Sequence, residues 1–247
     1  MEPTQHFVVI GAQRSGTTYL REQLDAHPQI TMARPATPEP KVFLDDTVLT
    51  GGREEYLRSF FGHAGPGQLL GEKSTSYLER PDAIGRMKAV LGRPRIVVQL
   101  RDPLARAVSN WRFSTDNGYE TRPLDDALES ELAGELPAPA EGVSVSPFAY
   151  LGRGRYAEQL RPWAEAFGDD LLVVFFADLI VDPDSLGALY ERLGVDPRFR
   201  PAGFGARVNS GPDGVEGISA ELTSRLREHF AGPDVELAEL IGRAPQW

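Results

Sequence analysis

The stretch Phe-Val-Val-Ile-Gly-Ala-Gln-Arg-Ser-Gly-Thr-Thr-Tyr-Leu, residues 7–20, limits what this chain can fold into more than any other. Four apolar residues fit a strand buried on both faces, a glycine-bounded turn follows, and Leu20 and Leu24 open a helical period. A strand that feeds a helix through such a turn is a cradle for an anion. Gly11 and Gly16 let the backbone turn sharply and approach a ligand, so that N–H groups and the positive end of the helix converge on it. Arg14, Ser15, Thr17 and Thr18 add side-chain donors at the same place. The glycine spacing is that of the nucleotide-triphosphatase loop, but Thr17 and Thr18 stand where that loop carries lysine and a hydroxyl residue. A triphosphate with its magnesium ion brings more charge than hydroxyls offset, so a smaller anionic group suits this loop better.

Residues 96–100 (Ile-Val-Val-Gln-Leu) and 171–176 (Leu-Leu-Val-Val-Phe-Phe) are two further apolar runs, and helical patterns lie between the three. One carries Leu104, Val108 and Trp111; another carries Tyr156, Leu160, Trp163, Ala164 and Phe167, a single stripe that reads as core. Leu222, Leu226 and Phe230 mark a last amphipathic helix. The layout predicts an α/β fold with a central parallel sheet flanked by helices. Residues 114–147 lack comparable periodicity and are rich in acids and prolines, so they are expected to form a weakly helical surface excursion or a lid.

The chain has 247 residues, 41% of them hydrophobic, and shows no linker, which predicts one domain over residues 1–247. A net charge of −10 argues against a nucleic-acid partner, whose phosphates demand a broad basic face. No apolar run approaches the roughly 20 residues that span a bilayer, and Met1-Glu2-Pro3-Thr4 carries no secretory pattern; a cytoplasmic protein without a membrane partner is the expectation. There is no cysteine, hence no thiolate chemistry, and the four histidines lack metal-ligand spacing, so no metal is expected. Nothing in the sequence speaks to oligomeric state.

A second anion anchor is predicted in residues 99–111. Arg101 falls at the C-terminal edge of its strand, where open parallel sheets bind ligands, and Ser109 lies two turns into the following helix. Arg101 can make a forked contact with a phosphate that Ser109 also reaches. On residue types alone, a surface pair of Arg101 with Asp102 reads equally well. The first cradle favours a ligand with two separated phosphates.

With both segments in view, the chain resembles the sulfotransferases that use 3′-phosphoadenosine-5′-phosphosulfate (PAPS), in particular their bacterial and carbohydrate-type branch. GAQRSGTTYLREQLDAHPQI (11–30) is similar to their 5′-phosphosulfate loop and RDPLARAVSNW (101–111) to their 3′-phosphate motif. GEKSTSYL (71–78), GRYAEQLRPWAEAF (154–167), RVNSGP (207–212) and LAELIGRAPQW (237–247) resemble later family segments. The resemblance implies a P-loop-like, three-layer architecture and PAPS as co-substrate without a metal. Arg14, Ser15, Gly16, Thr17 and Thr18 would hold the donor's 5′ end, Arg101 and Ser109 its 3′-phosphate, and Arg207 would close over the nucleotide. PEPKVFLDD (38–46) resembles the segment that supplies the general base, which places Glu39 in that role with Lys41 beside it. This chain departs from the pattern with Pro38 where lysine is common, Lys41 where histidine often stands, and Val42 for the first aromatic residue. Read without the family, Glu39 is a loop carboxylate between two prolines and Arg207 a solvated loop arginine. Glu72 and Lys73 line the acceptor side in the family reading, or form a structural ion pair at a strand edge.

The implied reaction is sulfuryl transfer to a hydroxyl, less readily an amine, of a small-molecule or glycan acceptor. Two alternatives stay open: a small-molecule kinase that finds its lysine elsewhere, for which Lys73 is the candidate, and a nucleotide-binding module without a working base.

Overall fold

The computed structural model describes residues 6–137, 146–205, 215 and 217–247. The chain forms two compact units, the first made of Met1–Leu100 and Pro162–Val208, the second of Arg101–Arg161 and Asn209–Trp247.

The first unit holds a five-stranded sheet: β1 (His6–Gly11), β2 (Ile30–Met32), β3 (Leu69–Lys73), β4 (Arg95–Leu100) and β5 (Leu171–Phe175). Their spatial order is β2-β3-β1-β4-β5, and every pairing is parallel. Phe7 and Val9 point to one face of the sheet and Val8 and Ile10 to the other, and all four are buried, as the uninterrupted apolar run requires. Helices α1 (Thr17–Asp25), α2 (Thr47–Phe61) and α3 (Ala83–Leu91) connect successive strands. Leu20 and Leu24 of α1 join Phe7, Val9, Val97 and Leu172 in one core cluster. From β1 the chain turns toward β2, and β5 lies beyond β4 on the other side, so the sheet reverses direction between β1 and β4. The C-terminal ends of those two strands are therefore the switch point where an open α/β sheet presents its ligand crevice.

In the second unit, α4 (Pro103–Asp116) begins on Asp102, whose side chain accepts from the Leu104 amide at 2.9 Å, with Pro103 in the first turn, as the Asp-Pro pair predicts. Next along the chain, α5 (Leu124–Leu132) is more than a surface excursion. Leu124, Ala127 and Leu128 are buried in a core with Leu104, Val108 and Tyr150, and the Glu131 carboxylate accepts from the amides of Tyr150, Leu151 and Gly152 at 2.6–2.8 Å. Residues 138–145 of the predicted lid lie outside the described residues. Helix α6 (Tyr156–Phe167) presents the expected stripe, with Tyr156, Leu160, Trp163 and Phe167 all buried. Two short helices of the first unit, α7 (Phe176–Val181) and α8 (Pro183–Leu193), follow β5, and the last helix α9 (Ala220–Ile241) buries Leu222, Leu226 and Phe230 as predicted.

Candidate active site

The glycine loop leaves β1 and enters α1 as the sequence implies. Gly16 caps the helix at φ 80°, and Arg14 also takes the left-handed region at φ 64°, a conformation that costs a residue with a Cβ roughly 1–2 kcal/mol. A Cβ on Gly16 would run into the Phe176 ring and the Gln99 amide, so glycine is required there twice over. The loop is tied to the neighbouring strand: the Ala12 amide donates to Gln99 O at 2.8 Å, and the Gln99 side-chain amide donates to Ser15 O. Among the described residues no side chain caps α1, and no acid lies in its first turn, which leaves the leading N–H groups and the positive dipole end uncompensated there. The Ser15 hydroxyl is fully buried with no hydrogen-bond partner among the described residues, a cost the fold normally avoids. A loop with buried and uncompensated donors fits an anion such as the 5′-phosphosulfate of PAPS.

Glu39 and the end of β3 meet in the same unit. The register pairs Val9 with Lys73, and the Ser74 amide donates to Val9 O at 3.0 Å, so residues 73–75 and the glycine loop leave the sheet side by side at one edge. Gln13 of the loop reaches the Ser76 hydroxyl at 3.2 Å. Here the Glu39 carboxylate receives the Lys73 ammonium at 2.6 Å, the Thr75 amide at 3.0 Å and the Thr75 hydroxyl at 3.1 and 3.2 Å. Its side chain is 17% exposed, which sets it apart from a loop carboxylate in water. Lys41, the basic residue predicted beside Glu39, takes a left-handed backbone at φ 53°, and its amide donates to Ser74 Oγ at 2.9 Å. Glu39 is thus paired with Lys73, which the sequence placed near the acceptor without pairing it to Glu39.

Glu72 and Lys73 do not form an ion pair with each other. Successive strand residues point to opposite faces, and Glu72 goes into the core, where it accepts from Tyr56 OH at 2.7 Å, Tyr77 OH at 2.7 Å and Ser74 Oγ at 2.8 Å. Burial pushes its carboxyl above the ordinary range; the three hydroxyl donors oppose that shift and the nearby Glu39 charge adds to it.

The second anchor lies in the other unit. Arg101 directly follows β4, and its carbonyl accepts from Tyr156 OH at 2.8 Å. Asp102 receives a bidentate pair from Arg227 of α9 at 2.8 and 2.6 Å, so its ionic partner comes from far along the chain. Ser109 sits on α4, half-buried. Arg207 lies outside the described residues. The histidines have structural settings: His27 accepts from the Gln29 amide at 3.1 Å and packs against Tyr190 and Phe199, and the His63 ring lies 3.2 Å from Met32 O. Among the described residues no group of three or more His, Cys, Asp or Glu could hold a metal ion, and no helix is long and apolar enough to cross a membrane.

A parallel sheet whose C-terminal strand ends carry a glycine loop leading into a helix N-terminus at β1, and a lysine-held carboxylate beside it at β3, is of the phosphate-cradling α/β class. Within that class, the sulfotransferase domain model matches residues 4–196, and the chain belongs to the sulfotransferase domain family. It is 29% identical over 262 residues to human heparan sulfate glucosamine 3-O-sulfotransferase 3B1, covering 97% of this chain and 64% of that protein. It is 30% identical over 160 residues to the membrane-associated sulfotransferase kil1 of Dictyostelium discoideum, covering 63% of this chain and 32% of that protein. The chain therefore spans about a third of the length of one relative and just under two thirds of the other. Among solved structures, a sulfotransferase from Alicyclobacillus acidocaldarius superimposes with a TM-score of 0.76 at 23% identity, covering 99% of this chain and 98% of that one. The fold is thus the P-loop-like sulfotransferase fold.

Proposed function

We propose that this protein transfers a sulfuryl group from PAPS to a hydroxyl of a small-molecule or carbohydrate acceptor. The observation that carries this reading is the placement of Glu39, clasped by Lys73 and Thr75, at the sheet edge from which the glycine loop also departs. PAPS supplies an activated sulfuryl group whose leaving group is a phosphate. The loop amides, Arg14 and the hydroxyls of Ser15, Thr17 and Thr18 hold that phosphate and stabilise the charge growing on its bridging oxygen. Arg101 and Ser109 serve the 3′-phosphate, with Arg207 as a further nucleotide ligand. Glu39 takes the acceptor's proton as the new O–S bond forms and the S–O bond to phosphate breaks; the departing 3′,5′-bisphosphoadenosine (PAP) carries the bonding pair. Lys73 orients that carboxylate and Lys41 stands two residues along the same segment. Because amides, hydroxyls and guanidinium groups already neutralise the leaving group, the reaction as proposed runs without a metal.

Two relations guide the choice of acceptor. The human relative is named for 3-O-sulfation of heparan sulfate glucosamine, so a carbohydrate hydroxyl belongs in any panel. A net charge of −10 favours a neutral acceptor over a polyanionic chain. The test is mass spectrometry of metabolite extract and of neutral and N-sulfated glucosamine oligosaccharides incubated with protein and PAPS. A product heavier by one SO₃ is expected, together with a rise in melting temperature with PAP but not with ATP and magnesium. Stabilisation by ATP and magnesium without stabilisation by PAP would replace this reading with that of a kinase.

A further inference from the structure

The segment that leaves β3 holds Glu39 with two of its residues and the backbone beside Glu39 with two others. Lys73 and Thr75 bind the Glu39 carboxylate. Ser74 and Tyr77 bind the main chain just beyond it: Ser74 Oγ accepts from the Lys41 amide at 2.9 Å and Tyr77 OH from the Phe43 amide at 3.2 Å. A backbone N–H only donates, so each hydroxyl acts as acceptor on that side and keeps its single proton for another partner. Both protons go to the same atom, Glu72 Oε1, at 2.8 and 2.7 Å. Tyr56 OH takes the other oxygen, Oε2, and touches neither amide.

We propose that Glu72 is a positioning residue for the transfer reaction: through Ser74 and Tyr77 it fixes the Lys41 and Phe43 amides, and so the aim of Glu39. This rests on Glu39 acting as the base. Removing the acceptor at Oε1 turns two buried hydroxyl protons loose, and their new partners compete with the amides of the segment. The requirement is for an acceptor on the Oε1 side and not for a charge as such. A glutamine can present its carbonyl to Ser74 and Tyr77 and its NH₂ to Tyr56, so Glu72→Gln should rescue what Glu72→Met loses.

Hydrogen exchange of the full chain with PAP bound reads the amides directly and needs no acceptor. In the peptide covering residues 39–46, Glu72→Met and Tyr77→Phe are expected to speed exchange at Lys41 or Phe43 at least tenfold, with Ser74→Ala acting on Lys41 alone. Glu72→Gln and Tyr56→Phe should leave both within about threefold of wild type. With the acceptor found by mass spectrometry, Ser74→Ala and Tyr77→Phe should lower kcat at least tenfold while KM for PAPS changes less than twofold. If Glu72→Met does not fold, the two hydroxyl variants carry the test alone. Unchanged exchange in the loss variants, equal damage from Tyr56→Phe and Tyr77→Phe, or altered exchange with unchanged kcat would each overturn the proposal. Absence of a PAP-induced melting shift in the wild type would instead strike the sulfotransfer reading, while the exchange result still judges the network.

Discussion

Glu39 stands between Pro38 and Pro40, a setting in which a solvent-facing carboxylate is the simplest reading, and its surroundings in the fold are of another kind. A lysine, an amide and a hydroxyl converge on it, so its two oxygens are aimed and not free to rotate. Replacing it by glutamine keeps shape and most hydrogen-bonding capacity while removing the proton acceptor. Glu39→Gln should therefore lower turnover at least 100-fold, in the range of lost general-base catalysis, with the PAP-induced melting shift retained. Loss of PAP binding in that variant would show the residue to be a nucleotide ligand or a structural anchor. Gly16 makes the opposite prediction. With φ 80° and no room for a Cβ beside Phe176 and Gln99, Gly16→Ala should destabilise the fold by roughly 1–3 kcal/mol and weaken PAP binding, both readable in one thermal titration. The glycine loop was legible because its chemistry is local, written in consecutive residues from Gly11 to Thr18. The Lys73–Glu39 pair was not, because the partners are 34 residues apart and Lys73 has an acidic neighbour, Glu72, that looks like its mate in one dimension. Period-two alternation separates that neighbour once residues 69–73 are laid out as a strand.

Elements reveal themselves by apolar runs, and β3 has a short one. Leu-Leu-Gly-Glu-Lys offers two aliphatic residues, then Gly71, where a Cβ would collide with Phe7 and Met32, then a buried acid that earns its place through hydrogen bonds. Strand β2 is only three residues long and includes a threonine. Strands β1 and β4 were legible since burial on both faces demands continuous hydrophobicity, and the edge strand β5 keeps an apolar run although it is only partly buried. Helix α5 escaped for a different reason: three buried residues in nine, Leu124, Ala127 and Leu128, form too brief a stripe to stand out among acids. At the start of α4 the Asp-Pro pair marks the cap locally, while the ionic partner of Asp102 lies 125 residues away. Asp102 caps the Leu104 amide and also binds Arg227 with both oxygens. Asp102→Ala should cost roughly 1–2 kcal/mol in urea unfolding, most of it from the lost cap. Asp102→Asn keeps a capping oxygen and loses only the ionic part, which is modest because the Arg227 side chain is 40% exposed; a loss below about 1 kcal/mol that shrinks with added salt is expected. Equal losses for the two variants would mean that the ion pair, and not the cap, holds the start of α4.

At the scale of the whole molecule the chain carries 36 acidic and 26 basic residues, so a general positive field cannot recruit an anionic donor. Local geometry must do it, and many of the cations are already committed: Arg34 to Asp25, Arg86 to Asp46 and Asp82, Arg122 to Glu120, Arg225 to Glu129. An excess of acids also means that lowering the pH first relieves self-repulsion, which alone would stabilise the fold between pH 7 and pH 5. His6 acts against this trend. It opens β1, is 2% exposed, and lies among the rings of Tyr56 and Phe61 with its Nε2 lacking a partner among the described residues. Burial, with a smaller contribution from the Arg53 charge, lowers its pKa from 6.5 to about 4. The neutral ring is thus favoured in the folded state, while the unfolded chain takes up a proton at its ordinary value. Stability from this group is full above pH 6.5, falls as the pH drops from 6.5 to about 4, and is constant below; the whole span amounts to roughly 3 kcal/mol. Urea unfolding of the wild type and of His6→Phe at half-unit intervals from pH 7.5 to pH 4 isolates the effect, since the variant keeps the apolar ring and loses the titration. The difference in unfolding free energy should move steadily in favour of His6→Phe as the pH falls through that window. Parallel curves would mean that the His6 ring is hydrated or finds a proton acceptor in the folded protein, and that the aromatic box around it is open to water.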